Sequence, residues 1–319
     1  MKKKKGIVII ISIGILLFVV AVLQTIKSGS QEETIKETEK TMESQTTQPA
    51  ESKEKFILKE GVVIEGEKPQ GMKYPCEYSV DMESCNRFLE LMDIELNKME
   101  KNEYEHFTNY EIKKNDGETD VHIQISHMVF EYVKDVERSA ADSEEKLKKE
   151  GEQLLDKILT EGRGFTFYEI YSEGYSGSKS LIYETSIGQV PISSGMHSYN
   201  ASDDTMIGPS IQMEFESGQP VNFKYIGMEI DEKGESITLQ EWDEQSVIDK
   251  LQEERGYLMT SGEQEEICSL RYVYMPERND KGNLELKPEI EIRTNKKGSL
   301  GQADDLYYID METGNFYNR

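Results

Sequence analysis

Cysteine and histidine are scarce in this 319-residue chain, and basic residues are outnumbered by acidic ones. Three cysteines, Cys76, Cys85 and Cys268, are too few for the disulfide framework of a small exported domain. Cys76 and Cys85 are spaced to close a short loop; the alternative is that all three are buried thiols. The four histidines are His106, His122, His127 and His197. They form no His-Glu-x-x-His pattern and no Cys-x-x-Cys accompanies them, so neither a zinc site nor any other metal or cofactor is expected. His122 and His127, five apart in a strand region, point to opposite faces unless a bulge realigns them. The shortage of positive charge lies beyond residue 27, where 32 basic residues face 62 acidic ones. A surface that negative repels nucleic acid and anionic lipid headgroups, which argues against both as partners, and it suits cations or a basic protein.

Catalytic signatures are also missing. There is no Gly-x-Ser-x-Gly, phosphate-cradling loop or dinucleotide fingerprint. Oxygen ligands gather at residues 115–120 and at Asp203 and Asp204, but without the alternate spacing and terminal glutamate of a calcium loop. Ser176-Gly177-Ser178-Lys179 matches Ser-x-x-Lys, and Ser198-Tyr199-Asn200 and Lys296-Lys297-Gly298 echo its partners in penicillin-binding enzymes. Ser176 sits in a Gly-Ser-rich turn, however, where the lysine is not held one helical turn away. Carboxylates are too numerous for any pair to stand out as an acid and base. No catalytic, metal or cofactor residue is therefore assigned.

What the chain does have begins at once. Lys2, Lys3, Lys4 and Lys5 precede an uncharged run from Gly6 to Leu23, eighteen residues, near the length of a membrane-spanning helix. The expected order is a cytoplasmic tail over 1–5, a transmembrane signal anchor over 6–24 and an extracellular remainder. Ser28-Gly29-Ser30 offers a site at which the segment would instead be cleaved. Residues 25–55 are rich in Gln, Glu, Thr, Ser and Lys and read as a disordered stalk with a reach of about 30 Å.

The rest predicts helix and then antiparallel strands, three times over. Cys85, Leu89, Met92, Leu96 and Met99 recur at helical steps over 81–101, and Leu147, Leu154 and Ile158 do so over 142–161. Asp243 can cap a third helix, with Trp242 and Val247 as a hydrophobic staple and Gly256 at its end. Strands are expected at 165–171, 181–187, 211–216, 221–230, 236–241, 270–275, 284–294 and 306–310. Lys114 to Gly117 signals a hairpin. After it, Val121, Ile123 and Ile125 alternate and Met128, Phe130 and Tyr132 follow one register off, which suggests a bulge near Ser126 and His127. The expectation is an α+β fold, helices packed on one face of antiparallel sheets, in modules over 56–135, 136–240 and 241–319.

In the last module the pattern of helix 243–255, strand Ser269 to Met275, strand Leu286 to Ile292 and a closing hairpin resembles a PepSY-like unit. It is similar to those ending the Yyc-type regulators, bitopic proteins that restrain a cell-wall sensor kinase in Gram-positive bacteria. Tyr308, Asp310, Thr313 and Gly314 match the family's closing Tyr-x-Asp-x-x-Thr-Gly hairpin, and Pro288 matches its strand proline. Ile290 stands where the family has an aromatic. The resemblance covers about a quarter of the chain and implies a non-catalytic regulatory ectodomain, touching another envelope protein such as a sensor kinase. Two other readings stand beside it: a solute- or wall-binding module with an aromatic groove near Tyr171 to Tyr199, and an envelope hydrolase built on Ser176 and Lys179.

Overall fold

Asp81 starts the first helix by accepting from the amides of Glu83 and Ser84, and α1 runs Met82–Leu91. It stops there rather than at residue 101, because Asp93 takes a left-handed φ of 56° and the Ile94 amide turns back to the Leu89 carbonyl. Met92, Ile94, Leu96 and Met99 still reach the core beneath α1, but by way of a turn and a 3-10 segment. The computed structural model describes residues 55–137, 142–162, 164–172, 179–195, 207–259, 264–296 and 305–318. The anchor and stalk lie outside these, apart from Lys55. Among the described residues no helix is long and apolar enough to cross a membrane.

Two further helices follow: α2, Glu144–Ile158, capped by Ser143, and α3, Glu244–Arg255, capped by Asp243 in a box with Ser246. Gly256 after α3 is right-handed, with φ −56°, and leads into a 3-10 turn. The early strands are β1 Phe56–Leu58, β2 Ile64–Glu65, β3 Met72–Tyr78, β4 Glu100–Glu103, β5 Phe107–Lys113, β6 Thr119–Ser126 and β7 Val129–Lys134. Beyond α2 come β8 Thr166–Ser172, β9 Lys179–Glu184, β10 Ser186–Ile187, β11 Val190–Pro191, β12 Ser210–Glu216, β13 Gln219–Ile226, β14 Met228–Ile230 and β15 Glu235–Ser236. After α3 stand β16 Glu265–Arg278, β17 Leu284–Lys296, β18 Asp305–Asp310 and β19 Phe316–Asn318.

These strands make two large sheets. The first has eight strands, all antiparallel, in the order β4-β5-β6-β7-β13-β12-β9-β8. One face carries α1 and α2 over a core of Phe88, Leu147, Leu154, Ile158, Ile123, Tyr132, Leu181 and Phe223. Each such fully buried side chain contributes about 1.5–3 kcal/mol. The second sheet runs β1-β16-β17-β18-β19, with β2 also on β16 and with β3, β14 and β15 attached beside β17. Its α3 face buries Phe56, Val247, Leu251, Leu270, Ile290, Ile292 and Ile309.

The architecture corrects the α+β expectation: the chain is mostly β-sheet, with three α-helices among the described residues. Nor is the second sheet purely antiparallel, since β1 and β2 run parallel to β16. Its members also come from far apart, β3 pairing β17 across more than two hundred residues of sequence. The strand expected over 221–230 is broken at Gly227, where the chain leaves the first sheet for the second. There the Gly227 carbonyl accepts from the Ser79 amide at 3.0 Å, and a Cβ would run into the Ser79 carbonyl. The shift after Ile125 is no bulge. Ser126 to Val129 is a tight reversal between β6 and β7, its hydroxyl accepting from the amides of Met128 and Val129.

Candidate functional site

Alternation along β16 and β17 gives the second sheet a rear face of Arg271, Glu291 and Arg293, and Tyr308 of β18 joins it. Arg271 stands opposite Glu291 and Glu291 opposite Tyr308 in the ladder. On most sheets such charges would face water. Here Arg271 is 9% exposed and Glu291 3%, because the last strands of the first sheet lie against them. The first sheet contributes Glu184, at the end of β9, and Tyr168. A register shift between Phe167 and Glu169 makes Tyr168 the extra residue of a bulge, which turns its ring toward the second sheet.

The guanidinium of Arg271 is divided between two carboxylates. Its Nε and Nη2 donate to Glu291 at 2.6 and 3.0 Å, and its Nη1 and Nη2 donate to Glu184 at 2.7 and 3.1 Å. The Tyr168 ring packs on the guanidinium at 3.8 Å, and the Tyr168 hydroxyl donates to Glu291 at 3.0 Å. Arg293 donates to that hydroxyl at 2.7 Å and to Glu169 at 2.5 Å. Residues 190–194 run beside β16, where the Ser193 amide donates to the Tyr274 carbonyl at 2.9 Å. That placement sets the Ser193 hydroxyl on Glu291 and 3.2 Å from the Tyr308 hydroxyl, and the Ser194 amide donates to Glu184 at 2.7 Å.

Burial works to lower the Arg271 guanidinium, but Glu291 and Glu184 outweigh it and hold it well above its ordinary range. The carboxylates diverge. Burial raises Glu184 above the usual carboxylate value against the pull of Arg271. Burial also opposes the charge on Glu291, yet Arg271, Ser193 and Arg293 together bring it below. Tyr168 is pushed up by burial and by Glu291. Two guanidiniums thus meet three carboxylates, the donors of the one pointing at the acceptors of the other. Ser193 is fully buried, with the Glu291 carboxylate and the Tyr308 phenol beside it. The arrangement joins two sheets.

Of the residues singled out in the sequence, those described are scattered. His122 lies 3.9 Å from Glu111, His106 is exposed beside Glu105, and His127 stands in the β6–β7 reversal. His197, Ser176, Ser198, Asn200, Asp203, Asp204, Lys297 and Tyr199 lie outside the described residues. Lys179 pairs with Glu144 of α2 at 3.3 Å. Asp116 accepts from the Glu118 amide at 3.1 Å, as a hairpin turn requires. No disulfide joins the three cysteines: Cys85 is buried and Cys76 and Cys268 are half-buried. Burial, with Glu285 nearby, raises the Cys76 thiol to about 12. Arg271, Glu184 and Glu291 carried no signal in the sequence, because charged residues alternating with apolar ones describe any half-exposed strand.

No family model matches this chain, and no curated protein matches it. Among solved structures it is similar to an uncharacterized protein from Eubacterium rectale, at 10% identity and a TM-score of 0.52, over 84% of this chain and 92% of that one. The likeness is one of fold. It is also similar to the YpeB C-terminal domain of Bacillus megaterium, at 10% identity and a TM-score of 0.38, over 76% and 98%.

Proposed function

We propose that this chain is a non-catalytic regulatory or scaffolding ectodomain, held at the membrane through Gly6 to Leu23, that contacts another envelope protein. The observation that carries the reading is the saturation of Arg271 by Glu184 and Glu291. This buried cluster of charge joins the two sheets of the described fold into one body, as a presenting scaffold needs. The PepSY-like hairpin of Tyr308, Asp310, Thr313 and Gly314 points the same way and makes a wall-sensing kinase the first partner to look for.

The test is crosslinking in living cells and capture of the full-length chain from detergent, beside a copy carrying an unrelated membrane anchor. A specific envelope partner retained by both copies supports an ectodomain contact. A partner lost with the exchanged anchor moves the contact to Gly6 to Leu23. Capture of none at native abundance rejects the reading.

A further inference from the structure

The eight-stranded sheet has two outer edges, and they are built differently. At one end β4 reads Glu100, Lys101, Asn102, Glu103, and its charged residues are exposed. Charge on an outer strand hinders pairing with another chain. At the other end the approach to β8 reads Gly164, Phe165, Thr166, Phe167, without a charge or a proline. No strand of the described residues pairs with the outer side of β8. The bulge at Tyr168 blunts the second half of β8, so the unguarded edge is residues 164–167.

That short edge lies along a groove of about 570 Å³ between β8 and α2. Phe165, Phe167, Leu155 and Leu159 supply its apolar lining, and Lys148 also lines it, its ammonium 4.4 Å from the centre of the Phe167 ring. Glu152 and Asp156, one helical turn apart on α2, are exposed at its rim, and no ion pair engages either one among the described residues. A helix flanking an open sheet edge is the arrangement that takes an extended segment as an added strand: main-chain bonds hold it, and alternate side chains enter the groove. The two rim carboxylates outnumber the one lysine of the groove, Lys148, and on a protein of net charge −25 they select a segment with basic residues beside the apolar ones.

We infer that residues 164–167 and the groove beneath α2 receive an extended, basic segment of a partner protein as a ninth strand of the sheet. The inference rests on the proposed contact function and names the surface and the chemistry that would carry it.

The test uses the full-length protein in detergent and three labelled synthetic peptides read by fluorescence anisotropy. One alternates Lys and Val over six residues, one alternates Glu and Val, and one is the Lys-Val peptide with proline at its two central positions. Binding of the first, with at least tenfold weaker binding of the other two, is the expected result. The double variant Glu152→Lys, Asp156→Lys should bind the first peptide at least tenfold more weakly while melting as the parent does, since both side chains are exposed. Equal binding of the proline peptide shows general attraction to a negative surface and overturns the inference, as does binding unaffected by the double variant. The same variant in the cellular crosslinking assay separates the two claims. A partner still captured leaves the contact function standing and removes it from this groove, whereas absence of any partner with the parent chain rejects both.

Discussion

The two sheets are alike on one face and opposed on the other. Each lays a helix-bearing face over apolar residues, Phe88 and Ile158 on the first sheet, Val247 and Leu251 on the second. Behind, the first sheet carries a cross-strand row of Asn109, Gln124, Glu131, Lys224 and Gln212, most of it half-buried. The matching row of the second sheet, Arg271, Glu291 and Tyr308, is shut in. Residues of similar polarity, in similar alternation, differ in burial: Lys224 is as enclosed as Arg271, but its row neighbours Asn109, Gln124, Glu131 and Gln212 stay half-buried while Glu291 and Tyr308 are closed off. What decides is the element laid behind them, because a charge withdrawn from water must find a partner at once.

The contrast can be broken or sharpened by substitution. Arg271→Met has the largest expected effect, since it leaves Glu184 and Glu291 buried without their cation, and a loss of about 3–5 kcal/mol in urea unfolding is expected. A loss under about 1 kcal/mol would make the two rear faces energetically equivalent, and the contrast would fail.

Next come the two carboxylates, which should respond to pH with opposite signs. Glu291 is held below its ordinary value, so its contribution is present above about pH 4.5 and fades as pH falls through the lower folded value. Glu184 is raised, so its contribution is present below about pH 4.5 and is lost as pH climbs through the higher folded value. Unfolding curves from about pH 3 to about pH 8 should therefore show Glu291→Gln most costly near neutrality, and Glu184→Gln less costly as pH rises. Parallel pH profiles for the two variants would dispose of that assignment.

The shared, helix-bearing side gives smaller numbers. Asp243→Ala removes the box with Ser246, where Asp243 accepts from the Ser246 amide at 2.8 Å, and should cost about 1 kcal/mol by thermal or chemical unfolding. Smallest of all, Gln124→Ala in the rear row of the first sheet should stay within about 0.5 kcal/mol of the parent. A cost near that of Arg271→Met would show that the first rear face is closed as well.

Much of the local architecture was legible. Val121, Ile123 and Ile125 announce a strand by alternation, Asp243 with Val247 announces the third helix, and Asn115 to Gly117 announces a hairpin. The first helix was overextended because Leu96 and Met99 keep helical spacing while packing from a turn and a 3-10 segment; the left-handed Asp93 that ends α1 leaves no mark in a periodicity. The reversal at Ser126 passed for a bulge because both place the next apolar residue one register off. The Arg271 cluster was illegible altogether, since it gathers Tyr168, Glu184, Ser193, Arg271 and Glu291 from across more than a hundred residues of sequence.

By itself, the sequence determined the local features: where strands turn, where Asp243 starts a helix, the negative charge beyond residue 27, and the apolar run from Gly6 to Leu23. All of these follow from neighbours a few residues apart, whose spacing and chemistry act before any fold exists. Only the tertiary structure decided that β3 joins β17, that β1 lies parallel to β16, that Gly227 passes the chain between sheets, and that Arg271 is buried between two glutamates. Pairing and burial of that kind depend on which distant segment arrives alongside, and the energy that selects the partner appears only once both faces have left water.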